Sequence, residues 1–147
     1  QREAAEQATQ RALQLQPDNP RMHFLLGHMM RASGQLDQAI HHLSEVIQVE
    51  SANLEASLEL GRAYQDRRDH ISALKAYRQA IKIAPKDPRP YYQAGLALRE
   101  TKDYKGAETM LRHAAELSPD DVNIRRQLGA VIAINLVHNS QEANTSS

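Results

Sequence analysis

Seven histidines are the residues of this 147-residue chain best suited to acid–base or metal chemistry, and their spacing argues against both. Two imidazoles on one helix share a metal when they lie three or four residues apart; His23 and His28 are five apart, about 140° around the helix. His41 and His42 are adjacent and diverge, and His70, His113 and His138 have no partner at ligand spacing. Cysteine is absent, which removes thiolate zinc sites, disulfides and a cysteine nucleophile. Ser33, Ser44, Ser57 and Ser72 lie in no nucleophile elbow, and no glycine loop is built to cradle phosphate. These residues predict a non-enzymatic protein with no catalytic residue, no metal ligand and no cofactor.

The elements around them come from composition. Eighteen Lys and Arg balance eighteen Asp and Glu, which excludes a polybasic nucleic-acid domain and an acidic tail. Hydrophobic residues at 41% with six Gly and six Pro describe a helix-rich globular chain. The longest near-apolar run, Leu128 to Val137, is too short for a membrane span and is broken by Asn135. No leader is visible, and the chain opens at Gln1 rather than Met, as a piece of a longer protein would. A cysteine-free chain of this kind is expected in the cytoplasm.

The chain repeats itself. Gly27, Gly61, Gly95 and Gly129 recur every 34 residues, and Ala39, Ala73 and Ala107 follow the first three at a fixed distance. Leu43, Tyr77 and Leu111 come four residues after each alanine, and Val46, Ala80 and Ala114 three later, on one helical face. Glycine inside a helix costs about 1 kcal/mol relative to alanine, so its recurrence asks for a packing reason: close approach of two antiparallel helices. All six prolines fall between units, beside Asp18, Asn19, Asn53, Asp87, Asp120 and Asp121, which suit helix N-caps. The breaks within units are softer, and only the first has a turn glycine, Gly34.

These markers resemble the tetratricopeptide repeat, with Gly at position 8 of a 34-residue unit, Ala at 20, a large residue at 24, Ala at 27 and Pro at 32. The departures lie mainly at position 4, where the family's tryptophan gives way to His23, Ser57, Tyr91 and Arg125. The resemblance implies an all-α superhelix, a solenoid of antiparallel helix pairs, forming a single array over residues 1–138. Residues 1–19 are then a second helix without its first. Units occupy 20–53, 54–87 and 88–121, and 122–138 is a first helix without its second. Residues 139–147, polar and without periodicity, are expected to be a disordered tail.

In this family the first helix of each unit lines a concave groove that takes a peptide. Carried over position by position, the groove is Arg21, Phe24, His28, Arg31, Leu58, Arg62, Gln65, Arg89, Tyr92, Leu96, Arg99, Asn123 and Arg126. Six arginines there face three acids, Glu55, Asp66 and Glu100, so the expected partner is a protein segment of acidic character. Phe24, Leu58 and Tyr92 are its apolar anchors. The slots of the subtype that clamps chaperone tails hold Phe24, His28, Arg62, Arg89 and Gln93, and only Arg89 fits, so that clamp is not expected. The implied function is a scaffold or adaptor. Two alternatives remain: self-assembly through the terminal half-units, whose strip Val131, Ile134 and Val137 needs a cover, making a homo-oligomer; and an RNA-binding helical repeat. The second is disfavoured by the neutral charge and the 34-residue period.

Overall fold

A computed structural model describes residues 1–146. Among them are eight α-helices and no strand: α1 (Arg2–Leu15), α2 (Pro20–Ala32), α3 (Leu36–Val49), α4 (Leu54–Asp66), α5 (His70–Ile83), α6 (Pro88–Glu100), α7 (Tyr104–Leu117) and α8 (Val122–Thr145). The fold is all-α. The chain divides into two compact units, the first running from Gln1 to Ile83 with α1 to α5, the second opening at Ala84 with α6 to α8.

In the first unit α2 pairs with α3 and α4 with α5, while α1 packs on α2 and α3 on α4. In the second unit α6 pairs with α7, and α8 covers α7. Helices α2, α4, α6 and α8 begin at Pro20, Leu54, Pro88 and Val122. Each follows a side chain that accepts from the free N–H groups of the first turn: Asn19, Asn53, Asp87 and Asp121.

The recurring glycines mark where the paired helices touch. A Cβ on Gly27 would lie 2.6 Å from Leu43 Cγ, on Gly61 2.3 Å from Tyr77 Cε1, and on Gly95 2.8 Å from Leu111 Cγ. Leu43, Tyr77 and Leu111 are all fully buried, so each glycine is the floor on which the partner helix's largest core residue rests. Ala39, Ala73 and Ala107 are also fully buried.

The softer breaks within the units share one backbone device. Gly34, Arg68 and Lys102 hold φ at 80°, 63° and 65°, the left-handed region, one at each hairpin turn. Glycine takes this conformation freely, whereas a residue with a Cβ costs roughly 1 kcal/mol there. Arg68→Gly and Lys102→Gly are therefore each expected to stabilise the protein by about 0.5–1 kcal/mol, read as a higher urea midpoint.

Helix α8 departs from the expected disordered tail. It continues through Asn139 to Thr145; Ser147 lies outside the described residues. No Gly or Pro follows Gly129 in the sequence, and Gln141, Glu142 and Ala143 favour helix, so nothing local stops it. Asn135, which breaks the apolar run, fastens α8 to α7: its Nδ2 donates to Tyr104 O and Glu108 Oε1, both at 3.0 Å. The uncovered strip is smaller than the sequence suggests, because Val131 is fully buried and Ile134 half-buried, leaving Leu136 and Val137 exposed.

Candidate functional site

In the first unit the candidate face belongs to α2 and α4, which touch at a few residues. Phe24, His28 and Arg31 on α2, and Leu58, Arg62 and Gln65 on α4, follow steps of three and four that align them on one side of each helix. Phe24 is half-buried and His28 exposed. Leu58 is fully buried, so it belongs to the packing beneath the face and offers a ligand no surface.

The centre of this face is a carboxylate outside the expected set. Glu59, next to Leu58, is 6% exposed and accepts from Arg31 Nε at 3.0 Å, Arg62 Nη1 at 3.0 Å and His28 Nδ1 at 3.3 Å. Arg31 also donates through Nη1 to Asp66 Oδ2 at 3.0 Å. Burial by itself pushes the Glu59 carboxyl up, but the hydrogen bonds and charge of Arg31, with those of His28 and Arg62, hold it below the usual glutamate value. Arg31 is shifted the other way: burial opposes its charge and Glu59 and Asp66 overcome it. Gln65 is also engaged, its Oε1 accepting from Tyr77 Oη at 2.6 Å. Burial drives that phenol well above its ordinary value, so it stays a donor. Two of the arginines counted as free positive charge are thus neutralised from within. The cue in the sequence was the three-residue step from Glu59 to Arg62.

Arg21 stands apart from this cluster, exposed at the first turn of α2, and no ion pair involves it among the described residues.

In the second unit the face is formed by α6 and α8, which also touch. Arg89 folds onto the cap of its own helix, with Nη2 donating to Asp87 Oδ2 at 2.8 Å and Nε lying 3.2 Å from both carboxylate oxygens. That hydrogen bond, opposed by partial burial, draws the Asp87 carboxyl below its usual value. Tyr92 and Leu96 are half-buried, and Arg99 Nη1 reaches across to donate to Gln127 Oε1 of α8. Asn123 and Arg126 are exposed on α8. No ion pair involves Arg99 or Arg126 among the described residues. The site therefore offers forked cationic donors beside half-buried aromatic and aliphatic surface, a pattern that suits carboxylates on a peptide.

Tetratricopeptide repeat models match residues 1–40, 30–89 and 88–131. The chain is 29% identical over 127 residues to the BBSome complex member bbs-4 of Caenorhabditis elegans, covering 86% of this chain and 28% of that protein. It is 28% identical over 133 residues to the human protein O-mannosyl-transferase TMTC1, covering 88% of this chain and 15% of that one. The chain thus spans less than a third of either relative. Among solved structures, MamA superposes with a TM-score of 0.88 at 20% identity, over 94% of this chain and 81% of that one. The first TPR of Spaghetti (RPAP3), bound to the HSP90 peptide SRMEEVD, superposes with a TM-score of 0.76 at 15% identity, over 80% of this chain and 93% of that one. At these identities the superpositions speak to the fold, an α-helical repeat solenoid. Among the described residues no helix is long and apolar enough to cross a membrane.

Proposed function

Because the chain belongs to the tetratricopeptide repeat family, a family of protein-interaction scaffolds, we propose that it acts as a non-enzymatic adaptor whose first-helix faces hold an acidic segment of a protein partner. The observation that carries the acidic reading is the unequal state of its arginines. Among the described residues Arg31, Arg62 and Arg89 already have carboxylate partners, whereas no ion pair involves Arg99 or Arg126. An arginine already hydrogen-bonded to a neighbouring acid gains little from a ligand. Those without such an acid keep their forked donors for it. Tyr92 and Leu96 supply apolar surface alongside. The fold is also one in which the Spaghetti (RPAP3) domain is bound to a peptide bearing two glutamates and an aspartate.

The test is anisotropy of a fluorescein-labelled peptide, with SRMEEVD as one probe and its Glu→Gln, Asp→Asn counterpart as the other. The acidic form is expected to bind more tightly, to weaken as salt rises, and to lose about tenfold or more in affinity to Arg99→Glu/Arg126→Glu. Arg62→Glu is the harsher control, since it sets a second carboxylate against Glu59. Affinity indifferent to salt and to the double reversal removes the acidic reading and leaves a scaffold for an uncharged segment.

A further inference from the structure

The first unit contains a second arrangement that the binding face does not use. His23 on α2 and His42 on α3 are nineteen residues apart, yet their Nδ1 atoms lie 3.0 Å from each other. His23 is 7% exposed, and its Nε2 lies 2.7 Å from the Pro17 carbonyl oxygen. A carbonyl can only accept, so Nε2 carries the proton and a neutral His23 presents a bare lone pair at Nδ1. Histidines that ligate metals commonly have this outer contact, the far N–H held by a backbone carbonyl so that the near nitrogen is fixed as a donor of electrons.

We propose that His23 Nδ1 and His42 Nδ1 bind a late first-row divalent ion, with Zn2+ the representative case. The spacing suits it: with Zn–N bonds of about 2.05 Å, a 3.0 Å separation subtends about 95°, and opening the pair by about 0.4 Å reaches the tetrahedral angle. On binding, the ion replaces the proton that His42 Nδ1 donates to His23, and His42 takes its proton at Nε2 instead. Ligation needs neutral imidazoles.

A cavity of about 440 Å³ opens beside the pair, lined in part by Gln10 and Gln14 of α1 and by His41, with room for the ion's water ligands. Among the described residues no third His, Cys, Asp or Glu completes a cage, so the ion keeps open positions and exchanges readily. The absence of a carboxylate from the pair disfavours Mg2+ and Ca2+. Packing alone does not require facing nitrogens. In the second unit Tyr91 takes the position of His23 and donates its hydroxyl to Pro85 O at 2.8 Å, while Met110 takes that of His42, so no such pair forms there.

Calorimetry of the whole chain with ZnCl2 at pH 7.5, with MgCl2 as the parallel arm, reads the site directly. The expected result is one Zn2+ per chain, no response to Mg2+, and at least about a tenfold loss of affinity in His23→Gln and in His42→Gln. No Zn2+ binding, or an affinity unchanged in both variants, overturns the proposal. Should a variant fail to fold, imidazole 15N spectra of the wild type decide. Substoichiometric Zn2+ must move the Nδ1 resonances of His23 and His42 first; first shifts at His28, His70, His113 or His138 overturn it.

Discussion

Alanine at Gly61 is expected to destabilise the protein by about 3 kcal/mol, while alanine at Gly129 stabilises it by about 0.5–1 kcal/mol. The two glycines hold the same phase of the repeat and differ in what faces them. At Gly61 the added methyl lies 2.3, 2.7 and 2.8 Å from three atoms of the Tyr77 ring, well inside contact distance. The ring cannot withdraw easily, because Tyr77 is fully buried and its hydroxyl is tied to Gln65 at 2.6 Å. Relief requires α4 and α5 to separate, with loss of the packing around Ala73, Ala76 and Ala80. At Gly129 nothing lies within 4 Å of the new Cβ, so only the gain in helix propensity remains. Gly27→Ala and Gly95→Ala should fall between, since a leucine side chain at 2.6 or 2.8 Å has more freedom to adjust than a tethered ring. Urea denaturation of the four variants gives the ranking, and a Gly61→Ala protein as stable as the parent contradicts it.

Glu59→Ala is expected to cost about 2–3 kcal/mol at neutral pH. The substitution removes the acceptor shared by Arg31, Arg62 and His28, leaving two partly buried guanidinium groups without their shared partner. The loss falls short of that for a fully buried pair because Arg31 and Arg62 keep a quarter or more of their side-chain surface in water. Its pH dependence follows from the direction of the carboxyl's shift. The folded value lies below the ordinary 4.5, so the stabilisation is fully present above that pH and fades as pH falls through the folded value. Wild type and variant should therefore differ most near pH 7 and converge as pH falls below the folded value. A gap that persists undiminished into acid means that the loss comes from packing rather than charge.

The contacts inside each hairpin were legible in the sequence because they depend on residue size at a fixed interval. Glycine at the crossing of each hairpin follows from the 34-residue register, although the side chain it meets there is Leu43, Tyr77 or Leu111, and the caps follow from Asn and Asp at the unit boundaries. Glu59 is only half legible: its step to Arg62 lies within α4, but its grip on Arg31 of α2 is a long-range contact that no local step in the sequence encodes. The His23–His42 approach is not legible for a related reason: residue spacing pairs imidazoles within one helix, and these two come from different ones. The left-handed backbone at Arg68 and Lys102 is imposed by the geometry of the hairpin turn, against the preference of the residues that occupy it. The charge of the groove is the least legible feature, because acids fold against Arg31, Arg62 and Arg89 in ways that a count of arginines does not show.

The Glu59 cluster also bears on how the first unit comes apart. Solenoids melt according to the strength of each hairpin and of its joint with the next. Where joints are weak, the hairpins fray one by one; where strong, they let go together. Glu59 on α4 grips Arg31 on α2, and Arg31 grips Asp66 on α4, so loosening either hairpin strands charge in the other. The joint is thereby reinforced, so α2 to α5 are expected to let go together rather than fray one hairpin at a time.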